Sequence, residues 1–77
     1  MFYDAVKNDH GFQYDPFKAI VAPRPIGWVS TVSTSGIANL APYSFFNAMS
    51  DNPHYVVFGA AAGKHSQRNA EATGCFA

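Results

Sequence analysis

Side chains able to bind or react fall into three groups along this chain. Ser30, Thr31, Ser33 and Thr34 form the first, Ser44 and Asn47 the second, and Ser66, Gln67 and Asn69 the third. Hydroxyl and amide groups of this kind suit neutral polar edges and phosphates rather than acid–base turnover. In the third group Lys64 and His65 stand just ahead of a helix-forming run, where free backbone N–H groups and the positive end of the helix dipole favour a phosphate monoester. The plainer alternative is that Ser66 caps the helix and Lys64 is simply solvated.

The stretch Ala41-Pro42-Tyr43-Ser44-Phe45-Phe46-Asn47-Ala48 interleaves aromatics with polar groups. A planar heteroaromatic ligand such as a flavin needs that mixture, apolar contact on its face and hydrogen bonds at its edge. Core packing, with the polar groups bonded to nearby backbone, accounts for it equally well. Arg24 lies between Pro23 and Pro25, so its side chain is either held toward an anion or a surface cation. Trp28 lines a ligand edge or sits in a core. His10, His54 and His65 lack the spacing of a metal site, and the single cysteine, Cys75, reads best as a small buried hydrophobe.

No Walker loop, G-x-G-x-x-G, nucleophile elbow or C-x-x-C is present, so phosphoryl transfer, Rossmann-type, hydrolase and thioredoxin-like chemistries lack their parts. Five basic and five acidic side chains give a formal net charge of zero, which offers no field for nucleic acid. The longest apolar run, Tyr55 to Ala62, is far short of a membrane span, and a lone cysteine with no leader-like N-terminus fits a cytoplasmic setting.

The elements that must position these groups follow from local pattern. The 77 residues, 48% hydrophobic and 13% charged, are a composition that folds. Residues 1–22 read as an opening segment broken at Gly11 and Asp15-Pro16. After Pro23-Arg24-Pro25, Ile26 to Ser33 has strand composition, Thr34-Ser35-Gly36 supplies a turn, and Ile37 to Leu40 returns, closed by Ala41-Pro42. Tyr43 to Ser50 fits neither strand nor helix periodicity. Tyr55 to Ala60 is apolar on both faces and reads as a buried core strand, Ser66 to Thr73 as a two-turn helix closed by Gly74, and Cys75-Phe76-Ala77 as the start of another strand. About three strands and one short helix are too few to close a barrel, so residues 1–77 read as the N-terminal part of one domain.

Taken together, Pro23-Arg24-Pro25-Ile26-Gly27-Trp28-Val29-Ser30-Thr31-Val32, the Ser-Gly turn, Asn39-Leu40-Ala41-Pro42-Tyr43-Ser44-Phe45-Phe46-Asn47-Ala48, Asp51-Asn52-Pro53 and Lys64-His65-Ser66-Gln67-Arg68-Asn69 resemble, in this order, the flavin reductase-like family that includes the flavoredoxins. The resemblance covers residues 17–77 and implies a mainly β, FMN-binding split barrel, here partial and carrying a short helix, that forms homodimers. By the same resemblance Ser30, Thr31 and the segment Ser44, Phe45, Phe46, Asn47 and Ala48 would contact FMN, while Ser66 with neighbours such as Lys64 would hold its phosphate. His65-Ser66 stands where the family usually has Asp-Thr, which keeps a hydroxyl and alters the local charge. The implied activity is hydride transfer from NAD(P)H to flavin and on to an acceptor, a monooxygenase partner among them. An electron carrier without nicotinamide turnover and an inactive truncated fragment are the alternatives.

Overall fold

The computed structural model describes residues 2–77. Among these residues it is mainly β: four antiparallel strands in two two-stranded sheets, preceded by one short helix and followed by another, with no closed barrel. The order is α1 (Pro16–Ile20), β1 (Gly27–Val32), β2 (Ala38–Tyr43), β3 (Phe46–Ser50), β4 (Tyr55–Phe58) and α2 (His65–Thr73). The radius of gyration is 15.9 Å, against about 11–12 Å for a compact domain of this length. The molecule is accordingly elongated, 48 × 30 × 18 Å.

Asp15-Pro16, which reads as a breaker, instead starts α1. Asp15 Oδ1 accepts from the Phe17 N–H at 2.9 Å, and Pro16 occupies the first turn, where its missing N–H costs nothing.

β1 pairs with β2 from Gly27↔Tyr43 to Val32↔Ala38, closed by a turn in which the Gly36 N–H donates to Ser33 O at 2.9 Å. β2 runs on past the expected end at Leu40, and Pro42 sits within it opposite Trp28. The strand tolerates a proline because only its β1 side carries a ladder.

The region that fits no periodicity, Tyr43 to Ser50, is strand for much of its length. β3 pairs with β4, but Met49 is an extra residue between the pairs Ala48↔Val56 and Ser50↔Tyr55. A bulge of that kind reverses the inside–outside alternation partway along the strand and hides its signature.

β4 is not the buried strand its composition suggests. Tyr55, Val56 and Val57 are 61%, 48% and 47% exposed, because β3 is its one partner and no element among those described covers the sheet. The core is small: Val29 is the sole fully buried apolar residue among those described, accompanied by Thr31 and Ser66. Cys75 is likewise exposed rather than buried.

α2 packs on β1 and β2. Its N-cap is Lys64, without a side-chain cap bond, so Ser66 is not the cap. Gly74 closes it at φ 75° with its N–H on Ala70 O, a left-handed conformation that favours glycine. Ser30 and Ala77 then exchange both backbone hydrogen bonds, at 2.7 and 2.9 Å. That exchange is the pattern of an antiparallel pair, but Cys75-Phe76-Ala77 forms no strand of its own: a single pair of bonds at Ala77 holds the segment beside β1. Phe58 bridges Tyr43 and Phe76, with ring centroids 5.0 and 5.1 Å away, and so ties the two hairpins to this final segment.

Candidate functional site

The β2–β3 junction, Ser44-Phe45, is where the fold brings separate candidate residues together. A cleft of about 600 Å³ is lined by Ser44 and Phe45 from the junction, Lys18 from α1, the Gly59-Ala60-Ala61 segment after β4, and Lys64 at the start of α2. A second cleft of about 400 Å³ on the other side of Ser44-Phe45 is lined by Arg24, Phe46, Asn47 and Val57 among others. Strand pairing explains the arrangement: the Gly59 N–H donates to Phe45 O at 2.8 Å, which extends the β3–β4 ladder by one step and holds the junction against the residues leading to α2.

Electrostatically the larger cleft is one-sided. Its described lining holds two lysines, Lys18 and Lys64, and no Asp or Glu, and neither lysine is in an ion pair among the described residues. Lys64 is also the N-cap of α2 and has no side-chain cap bond, so the positive end of the helix dipole lies beside the cleft. Phe45 is 44% exposed, and the Arg24 guanidinium lies 5.1 Å from its ring centroid. An anionic group and an aromatic plane are thus both accommodated in one place.

Arg24 itself does not point at the cleft as a free cation. Its Nη1 donates to the carbonyls of Lys18 at 2.9 Å and Val21 at 2.8 Å, and its Nε donates to Ser44 Oγ at 3.4 Å. The guanidinium therefore ties the end of α1 to the β2–β3 junction.

The remaining candidates are placed elsewhere. Thr31 is buried on β1 and its Oγ1 accepts from Asn69 Nδ2 at 3.1 Å. Ser66 is 1% exposed and its Oγ accepts from Asn39 Nδ2 at 3.0 Å. These two hydroxyls join α2 to the β1–β2 hairpin. Ser30, next to Thr31, lines a separate cleft with Thr73, Cys75 and Phe76. Phe46 packs its ring over Gly27, where a Cβ would lie 2.5 Å from Phe46 Cδ2. Asn47 accepts from the Ala48 N–H through its own Oδ1 at 2.8 Å, and Ala48 faces a third cleft beside the Met49 bulge. Trp28 is 65% exposed on β1. Among the described residues no group of three or more His, Cys, Asp or Glu is placed to hold a metal ion, and no helix is long and apolar enough to cross a membrane.

Comparison with known proteins gives relatives without assigned activities. The chain is 65% identical over 47 residues to an uncharacterized protein of Aquifex aeolicus, a match covering 61% of this chain and 24% of that protein. It is 45% identical over 40 residues to the uncharacterized protein YwrF of Bacillus subtilis, covering 52% and 20%. It is 38% identical over 60 residues to an uncharacterized protein of Deinococcus radiodurans, covering 73% and 26%. The matches thus span about a quarter or less of the length of these curated relatives. No family model matches the chain, and no solved structure matches it.

Lys18 and the anchoring role of Asn39 escaped the sequence pattern, while Asn69 stood among the amide candidates without that role. Lys18 reaches the cleft because Asp15-Pro16 starts a helix, and the Asp-Pro pair was the available signal. Asn39 and Asn69 act as anchors for α2. The three-residue spacing of Ser66 and Asn69, which puts them on one helix face, was theirs.

Proposed function

We propose that this chain is part of an FMN-binding, flavin reductase-like oxidoreductase. The observation that carries the reading is the shared cleft of Ser44, Phe45 and Lys64, three of the residues that the resemblance assigns to one ligand. Its donor set suits FMN: cations and helix N–H groups for a phosphate monoester, an aromatic face for a ring, and hydroxyl and backbone groups for a ring edge.

In this reading Lys64 and the first turn of α2 receive the phosphate. Ser44 and Phe45 border the ring, and the neighbouring Phe46, Asn47 and Ala48 support that border. Ser66 acts through Asn39, fixing the turn of α2 that follows Lys64. Thr31 does the same through Asn69, while Ser30 lines the separate cleft beside Cys75 and Phe76. Bound FMN would supply the redox chemistry, taking hydride from NAD(P)H and passing electrons to an acceptor, so no protein acid or base is demanded. The exposed apolar residues of the strands, with Trp28 at 65%, Leu40 at 62% and Met49 at 67%, suit a homodimer as the working form. The cytoplasm is the proposed location.

The test is fluorescence titration of the purified chain with FMN, with riboflavin as the phosphate-free control. Saturable quenching by FMN, weaker with riboflavin, supports the reading. Failure of both to bind, in this chain and in a longer protein containing it, overturns it. Oxidation of NADH or NADPH by the flavin-loaded protein separates a reductase from an electron carrier without nicotinamide turnover.

A further inference from the structure

We propose that Lys18 is a second anion-binding residue of the cleft, facing the ligand from α1, and that Arg24 is the positioning residue that presents it. The proposal deepens the FMN reading and rests on it for the identity of the ligand.

Three observations converge. Lys18 and Lys64 line the same cleft from elements far apart in the chain, with no acidic side chain among its described lining residues. Both ammonium groups lack a carboxylate within 4.0 Å among the described residues, since the ion pairs are Lys7 with Asp4 and His54 with Asp51. Two unneutralised cations bordering one concavity both attract an anion that enters it.

The third observation is the use of Arg24. A guanidinium has five donors in a rigid fork. Here Nη1 bonds the Lys18 and Val21 carbonyls and Nε approaches Ser44 Oγ, while the plane lies by Phe45. The carbonyl of Lys18 itself is one of the atoms gripped, so Arg24 fixes the backbone from which the Lys18 side chain projects. It does so relative to Ser44, which lines the same cleft. α1 has five residues and no buried side chain, and besides the Phe17 ring, 6.5 Å from that of Phe45, the Arg24 bonds are what tie it to the junction. The residue that local sequence offers as the anion's partner thus serves as a clamp, and Lys18 takes the anion-facing role.

The experiment compares the chain with its Lys18→Gln, Arg24→Lys and Arg24→Gln forms, titrated with FMN and with riboflavin, and followed in ¹H–¹⁵N NMR spectra during titration with inorganic pyrophosphate. Lys18→Gln is expected to weaken FMN roughly tenfold, as for loss of one charge-assisted contact, and to leave riboflavin unchanged. Arg24→Gln is expected to remove the same preference for FMN over riboflavin, and Arg24→Lys, lacking the fork, to restore it only in part. A structural role for Arg24 alone would weaken both flavins together.

Unchanged FMN affinity in Lys18→Gln overturns the assignment of Lys18, and equal losses for the two flavins in Arg24→Gln overturn that of Arg24. If neither flavin binds the unaltered chain, pyrophosphate decides. Shifts of the Lys18 and Lys64 amide signals that vanish in Lys18→Gln and Arg24→Gln keep the anion site, and no response at Lys18 overturns it.

Discussion

Asn39 Nδ2 donates to Ser66 Oγ across 3.0 Å, although the residues are 27 positions apart in the chain. With its counterpart, Asn69 Nδ2 to Thr31 Oγ1 at 3.1 Å, it forms a pair of reciprocal links: one amide from the hairpin to the helix, one from the helix to the hairpin. Both accepting hydroxyls are buried, so neither link competes with solvent.

Removing the Ser66 hydroxyl leaves the Asn39 amide without its acceptor. Ser66→Ala should destabilise the fold by about 1–3 kcal/mol, measured by urea denaturation. A double-mutant cycle with Asn39→Ala should return a coupling of about 1 kcal/mol. Full additivity would mean that the bond contributes nothing to stability.

Gly27 is constrained by the ring above it. A Cβ at that position would lie 2.5 Å from Phe46 Cδ2 and 2.6 Å from Cγ, so Gly27→Ala should cost about 1–3 kcal/mol through overpacking. Adding Phe46→Ala in the same chain should make the alanine at 27 nearly neutral. The thermal midpoints of the four forms decide it.

Gly74 ends α2 at φ 75°, and nothing lies within 4 Å of where its Cβ would be. The penalty for Gly74→Ala is therefore purely conformational, about 1 kcal/mol. Gly74→Asn should recover part of it, since asparagine tolerates the left-handed region better than alanine.

Lys64 stands at the N-terminus of α2 and is exposed. Lys64→Gln should weaken FMN roughly tenfold without changing riboflavin affinity. The FMN dissociation constant of the unaltered chain should rise with added salt while that of riboflavin stays flat. Equal salt responses for the two would remove the phosphate from this part of the cleft.

Much of the architecture was written locally. The first hairpin followed from β-branched residues flanking Thr34-Ser35-Gly36, and α2 from its helix formers ahead of Gly74, because turn and cap chemistry are properties of a few adjacent residues. Zero net charge and the missing nucleotide-loop motifs were likewise matters of composition and spacing. The tertiary structure alone decided the rest. β3 was concealed by the Met49 bulge, since a periodicity argument assumes an unbroken ladder. β4 is apolar yet exposed, since burial depends on what covers a sheet and not on the strand itself. Ser44, Phe45, Lys18 and Lys64 meet in one cleft, while Thr31 and Ser66 turn inward to Asn69 and Asn39. Sequence names the hydroxyls and cations, but which of them face a ligand and which face each other is set by long-range strand pairing and helix docking.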